Sequence, residues 1–228
     1  MSKTGLAPIA QEKESLVDRV CDAVRHSIIS GRLRPAEVLS ISDLDADLGV
    51  SHSPVREALQ RLASQGLVEL RPARSAIVAP LDVDELTEIY RIRKLLEVDT
   101  AGRACPLLTP EDLKAIERRF EALAKAPSTH PDDFWTLHED FHRALMRPAL
   151  SPRLARVIGE QWHAGERYIR IVYADSGVFG ARSAGERHQE LLDAARAGKA
   201  PRMRKALLEH LEMNEREIGI QIREILSR

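Results

Sequence analysis

The stretch Gly49–Leu70, GVSHSPVREALQRLASQGLVEL, constrains this chain more than any other. Gly49 supplies a permissive backbone for a tight turn, Ser53 can cap a helix through its hydroxyl, and Pro54 suits a first helical position because no amide partner is needed there. These residues predict a helix that starts at Pro54 and stops at Gly66. Val55, Leu59, Leu62 and Ala63 recur at helical spacing and mark its core face, while Arg56, Gln60 and Arg61 fall off that face and stay available to a partner. A guanidinium just past a helix start can fork onto a guanine edge in the DNA major groove. An ordinary surface helix would carry the same charges merely solvated. Taken alone, the stretch leaves both readings open, and its flanks move the balance.

Upstream, Leu16, Val17, Val20, Cys21, Val24, Ile28 and Ile29 form one apolar helical face that ends before Gly31. Arg32–Leu39, RLRPAEVL, contains Pro35 and reads as a loop. Ser42 then opens a short second helix, SDLDADLGV, with a cap and an acid at its third helical position. Downstream, Leu67–Leu70 and Ala76–Ala79 read as two short strands joined by Arg71, Pro72, Ala73, Arg74 and Ser75. A basic turn between strands suits a phosphate or minor-groove contact. Helix, short helix, glycine turn, capped helix and two-stranded wing is the order of a winged helix-turn-helix.

At 228 residues the chain fits two modest domains, each large enough for its own core. Its formal net charge of -1 means that any DNA contact rests on local placement of arginine rather than on an overall field. Cys21 and Cys105 both fall inside helical patterns and read as small buried hydrophobes, which points to a reducing compartment. The start, MSKTGLAPIAQEKES, lacks the apolar core of a signal peptide, and no run approaches the roughly 18 apolar residues of a membrane span. A cytoplasmic location is expected, with residues 1–15 disordered.

Beyond the short linker Pro80–Leu81 the pattern turns wholly helical. Leu86, Ile89, Tyr90, Ile92, Leu95, Leu96 and Val98 mark one helix, and Thr109, Pro110 and Glu111 open a second with a cap, a proline and an acid. Ala126–Asp132 reads as a polar connector, followed by helices over Phe134–Met146, Leu154–Tyr173, Ala184–Ala197 and Arg202–Ile225, with Gly180 and Gly198 at the later joins. His138 and His142 lie one turn apart on one helical face, a spacing that can bind one metal ion. The same residues, HEDFH, match HExxH, which would make Glu139 a general base and Glu160 a further ligand of a hydrolytic zinc site. A solvated or hydrogen-bonded pair is the plainer alternative. His26, His130 and His163 have no partner at ligand spacing and read as surface or core-edge residues. Arg93, Arg167 and Arg170 have the fork to clamp a carboxylate, although Arg167 and Arg170 are expected on a solvated helix face.

Residues from about 16 to 80 resemble the N-terminal domain of the GntR family of bacterial transcription regulators, through GRLRPAEVL, DLGVSHSPVREALQRLASQGLVEL and RPARSAIV. Residues from about 84 to 228 are similar to the ligand-binding domain of that family's FCD subgroup. The carriers are FHRAL at Phe141–Leu145, ERHQELLDAARAGKA at Glu186–Ala200 and LLEHL at Leu207–Leu211. The resemblance implies a mainly α fold: a winged helix-turn-helix over 16–80 and an antiparallel all-α bundle of about six helices over 84–228. It places Ser42, Ser51, Ser53, Arg56 and Arg74 at phosphates or bases, with His52 at a base-contact position where the family usually has Arg. Ser75 stands where the wing usually has Gly.

In the bundle the resemblance implies a divalent metal held by His142, His188 and His210, and the fourth position, usually Asp, is His138 here. An all-imidazole set suits zinc or nickel and forgoes a carboxylate's charge. Arg93, within RIRKLLEV, is the candidate for the effector's carboxylate. The implied activity is that of a homodimeric, metabolite-responsive repressor of operator DNA, released by a small organic acid, with no membrane partner and no enzymatic turnover. Two alternatives stay open: a regulator whose helical domain is only a dimer scaffold, and a metal-dependent hydrolase of the HExxH type.

Overall fold

The apolar stripe read from Leu16 onward forms α1 (Leu16–Ile29), which packs with β1 (Val38–Ser40), α2 (Ile41–Leu48), α3 (His52–Ser64), β2 (Val68–Arg71) and β3 (Ser75–Val78). The computed structural model of the chain describes residues 15–72, 75–126, 131–176 and 181–228. Most of the stretch expected to be disordered, 1–14, lies outside the described residues, as do Arg74, His130 and Gly180. The chain divides into two compact units, the first running to Ala79 apart from Ile29–Gly31, which group with the second, Pro80–Arg228.

In the first unit, Val20, Val24 and Ile28 of α1 meet Val55, Leu59 and Leu62 of α3 in one buried core, closed below by Val68, Ala76 and Val78 of the sheet. The strand order is β1-β3-β2, with both pairings antiparallel. Three local expectations are corrected. Arg32–Leu39 is not all loop: Val38 and Leu39 pair with Ile77 and Ala76, so the sheet has a third strand. Ser40, not Ser42, caps α2, its Oγ accepting from the Asp43 amide at 3.4 Å. The third helix starts at His52 behind an extended Ser51, two residues before Pro54. Proline is tolerated there because none of the first four amides of a helix has an intrahelical partner. Gly49 sits at φ 65 as the left-handed stop of α2, the conformation for which its lack of Cβ was read.

The second unit is built from α4 (Val83–Ala104), α5 (Pro110–Ala124), α6 (Pro131–Met146), α7 (Pro152–Ser176), α8 (Ala181–Ala197) and α9 (Ala200–Leu226). Pro110, Pro131 and Pro152 each stand first in their helix, where a missing N–H removes no bond. Helix α4 lies at the centre and packs on α9, α7 and α6. It runs antiparallel to α9: Lys94 reaches Glu215 at 2.7 Å, while Gly102 lies against Arg204. Cys21 and Cys105 are buried free thiols, each in the core of its own unit, as read from their helical settings.

Helix α5 opens on a reciprocal cap. The Asp112 amide donates to Thr109 Oγ1 at 3.2 Å, and the Thr109 amide donates to Asp112 Oδ2 at 3.0 Å. Asp112 closes the box, and Glu111 stands in the first turn as the acid read from the sequence. Thr109→Ala should therefore destabilise this unit by about 1 kcal/mol, and Thr109→Ser should restore most of that loss. Urea unfolding followed by tryptophan fluorescence reads the unit directly, because both tryptophans, Trp135 and Trp162, lie within it. An alanine variant as stable as the parent would contradict the capping role.

Candidate functional site

Three helices bring four imidazoles together: His138 and His142 from α6, His188 from α8 and His210 from α9. One nitrogen from each lies within 4.8 Å of the others. His142, His188 and His210 are nearly inaccessible, and His138 is partly buried at the rim. The Nε2 atoms of His142 and His188 are 3.1 Å apart, close to the roughly 3.3 Å edge of a tetrahedron with ordinary zinc–nitrogen bonds. His210 has Nε2 beside the Asn214 amide at 3.1 Å, while its buried Nδ1 has no hydrogen-bond partner among the described residues. That orphaned nitrogen and the neutral nitrogen donors around it fit a divalent ion of zinc or nickel type. The His138 ring stays with the group, its centroid 4.5 Å from that of His142 and 4.9 Å from that of His188.

Beside the cluster, His138 also lines a cleft shared with Arg93, Trp135, Trp162, Glu166 and Ile169. Arg93 is buried and already engaged: its Nε donates to Glu97 Oε1 at 2.7 Å, and the same oxygen accepts from Trp162 Nε1 at 2.8 Å. The sequence reading missed both tryptophans. The signal was available, since the only two in the chain lie on the helix of the histidine pair, Trp135 one turn before His138, and on the next helix, Trp162. Arg167 and Arg170 do not lie on a solvated face as expected. Arg167 is 2% exposed and ion-paired with Glu85, with Tyr168 Oη beside it, and Arg170 is paired with Glu166 at 2.6 Å. Burial, with Glu85 as hydrogen-bond partner, pushes the Tyr168 phenol up to about 12. The HExxH reading does not fit the geometry. Glu139 is ion-paired with Arg143, and Glu160 is exposed and stands outside the histidine group.

On the first unit, Ser42 in the first turn of α2 and Ser51, Ser53 and Arg56 around the start of α3 are exposed, and Arg74 lies outside the described residues. Arg56 makes no ion pair with the described residues, whereas Arg61, read as available, is committed to Asp18 at 2.5 Å. Ser53 Oγ donates to Glu57 at 3.2 Å, and Ser42 Oγ lies 2.8 Å from that of Ser40. His52 Nδ1 lies 2.9 Å from Asp45 Oδ2 of α2. The carboxylate can only accept, so the Nδ1 proton faces Asp45 and Nε2 is left for other contacts.

Burial holds the His138, His142 and His210 imidazoles well below their usual range, and neighbouring imidazoles and Arg93 add to the effect. In the unfolded chain these groups take up protons near pH 6.5, while the folded chain resists, so the unfolded state binds more protons below that pH. Stability must therefore fall as pH drops from about 7, by up to about 1.4 kcal/mol per pH unit for each such imidazole. The metal-free protein should lose thermal stability between pH 7 and 5, read by tryptophan fluorescence, with a shallower slope in His142→Gln. A melting temperature flat across that range would contradict the buried, neutral state of the cluster.

Residues 16–78 match the family model described as bacterial regulatory proteins, gntR family, and residues 88–213, more than half of the chain, match the FCD domain. The HTH-type transcriptional regulator McbR of Escherichia coli (strain K12) is 29% identical over 201 residues, spanning 88% of this chain and 91% of that protein. The probable D-xylose utilization operon transcriptional repressor of Paenarthrobacter nicotinovorans is also 29% identical, spanning 87% of each. Among solved structures, E. coli McbR/YncC aligns with a TM-score of 0.75 at 28% identity, covering 91% of this chain and 99% of that one. A putative GntR regulator from Rhodococcus sp. RHA1 aligns at 0.73 and 27% identity, covering 89% and 96%. A helix-turn-helix with its strands, a helical bundle following it in the chain, and both family models in that order place this chain in the GntR family with an FCD domain, as a transcriptional regulator and not an enzyme.

Proposed function

We propose that this regulator is a cytoplasmic homodimeric repressor whose hold on operator DNA is relaxed by a small carboxylate bound at a divalent metal in the helical unit. The observation that carries the reading is the convergence of His138, His142, His188 and His210 within 4.8 Å, beside a cleft that Arg93 also lines. When bound, zinc or nickel supplies a positive centre for a carboxylate oxygen. The chain's own part is to hold the imidazoles neutral and to keep Arg93 charged at the cleft wall, where its guanidinium favours an anion. A membrane role has no support, because no helix among the described residues is long and apolar enough to cross a bilayer.

At the DNA end, Ser42, Ser51 and Ser53 are assigned to phosphates, Arg56 and His52 to base edges, and Arg74 to the wing contact. Two such units in a dimer address half-sites roughly one turn of DNA apart. The effector acts only through a difference in affinity between DNA-competent and incompetent arrangements, and a hundredfold difference is worth about 2.7 kcal/mol. Repression is the sense carried by relatives described as repressors, at 29% and 26% identity.

Mass spectrometry of tag-free protein dialysed against zinc or nickel should find metal in the parent and a sharp loss in His142→Ala, His188→Ala and His210→Ala. His138→Asp should bind at least as well as the parent, because it adds a compensating charge. Protein that stays metal-free under these conditions would leave the scaffold reading in place. On DNA sites selected from a random pool, Arg56→Ala should cost about 1–3 kcal/mol and relax preference at one base pair. Equal losses on selected and random DNA would make Arg56 a phosphate contact only.

A further inference from the structure

We infer that the effector cleft takes a carboxylic acid whose body is a flat unsaturated ring, seated against Trp135 and Trp162. This rests on the proposed carboxylate site and adds the chemistry of the rest of the ligand. The chain is poor in aromatic residues, at 4%, yet both of its tryptophans line this cleft, Trp135 on α6 and Trp162 on α7. Each adjoins the imidazole cluster: the Trp135 ring lies edge-on to His138 at 5.6 Å and the Trp162 ring edge-on to His142 at 6.4 Å. An acid anchored at that cluster therefore extends its body past indole surface. Indole faces favour another π-system over a saturated body of equal size, through offset stacking and edge contacts.

Each indole also has a guanidinium over its ring. The Arg143 guanidinium sits 5.2 Å from the Trp162 ring and that of Arg170 sits 5.9 Å from the Trp135 ring. Arg143 is ion-paired with Glu139 and Arg170 with Glu166, so the two acids lining the cleft are already neutralised and do not call for a cationic ligand. Trp162 is further fixed by its Nε1 bond to the buried Glu97, the partner of Arg93. With these charges and Arg93 each paired inside the protein, the anchor for the acid lies at the His138 end, and Ile169 completes the apolar side.

The test compares benzoate with cyclohexanecarboxylate, which share carbon count and anchor but differ in the ring. Full-length protein is dialysed against zinc, its metal content is measured, and each acid is titrated by calorimetry and by tryptophan fluorescence. Benzoate should bind about tenfold more tightly and should shift the fluorescence. That preference should disappear in Trp135→Leu and in Trp162→Leu and persist in Trp135→Phe and Trp162→Phe, with zinc content unchanged in all four. Equal affinities, a preference for the saturated acid, no binding of either acid to zinc-loaded protein, or a preference that survives both leucine substitutions would each overturn the inference. If the protein takes up no zinc, the metal reading fails separately, and the same comparison is made on the metal-free chain. There, ring preference that depends on the tryptophans supports the inference, and its absence refutes it.

Discussion

A buried ion pair on the central helix holds the helical unit and its cleft in one arrangement. Arg93 and Glu97 are almost wholly removed from water, at 4% and 0% exposure, and either one left alone would cost several kcal/mol. They lie one turn apart on α4, and Trp162 brings α7 to the same carboxylate. Because α4 also packs on α6 and α9, the helices that carry His138, His142 and His210 are referenced to that pair. The guanidinium that lines the cleft is thus also a structural charge, which ties the shape of the cleft to the integrity of the core.

The four imidazoles pose the opposite problem, since four donors are gathered with no charge to draw them together. Packing and polar contacts do it: Phe141 sits edge-on to His142 and His188 at 5.6 and 5.5 Å, His142 and His188 meet through their Nε2 atoms at 3.1 Å, and desolvation keeps three of the rings neutral. A site of that kind offers neutral nitrogen donors and is poor in compensating charge. In the proposed reading the missing negative charge is what the effector supplies, which is why an anion is expected there.

Much of the fold was legible in the sequence because it is written in local signals. The stripe from Leu16 to Ile29, the turn glycine at Gly49 and the Thr109–Pro110 start each report a backbone event within a few residues. What was not legible depends on distant partners. The strand Val38–Ser40 is three residues long, follows Pro35, and exists because Ala76 and Ile77 pair with it. Ser40 and Ser51 each precede a helix by one residue, and Ser42 and Ser53 are equally plausible caps until the backbone is seen. For the site, His138 and His142 declare themselves by spacing, whereas His188 and His210 came only through resemblance. The burial of Arg167 could not be read at all, because its partner Glu85 stands on another helix.

The most direct measurement of the metal-centred reading is anomalous diffraction from zinc-soaked crystals of the full chain, collected on both sides of the zinc edge. One peak per chain is expected, within bonding distance of His138, His142, His188 and His210 and with a coordination position open toward Arg93 and the two tryptophans. No peak in the helical unit, or a peak held by surface carboxylates away from the four imidazoles, would contradict it.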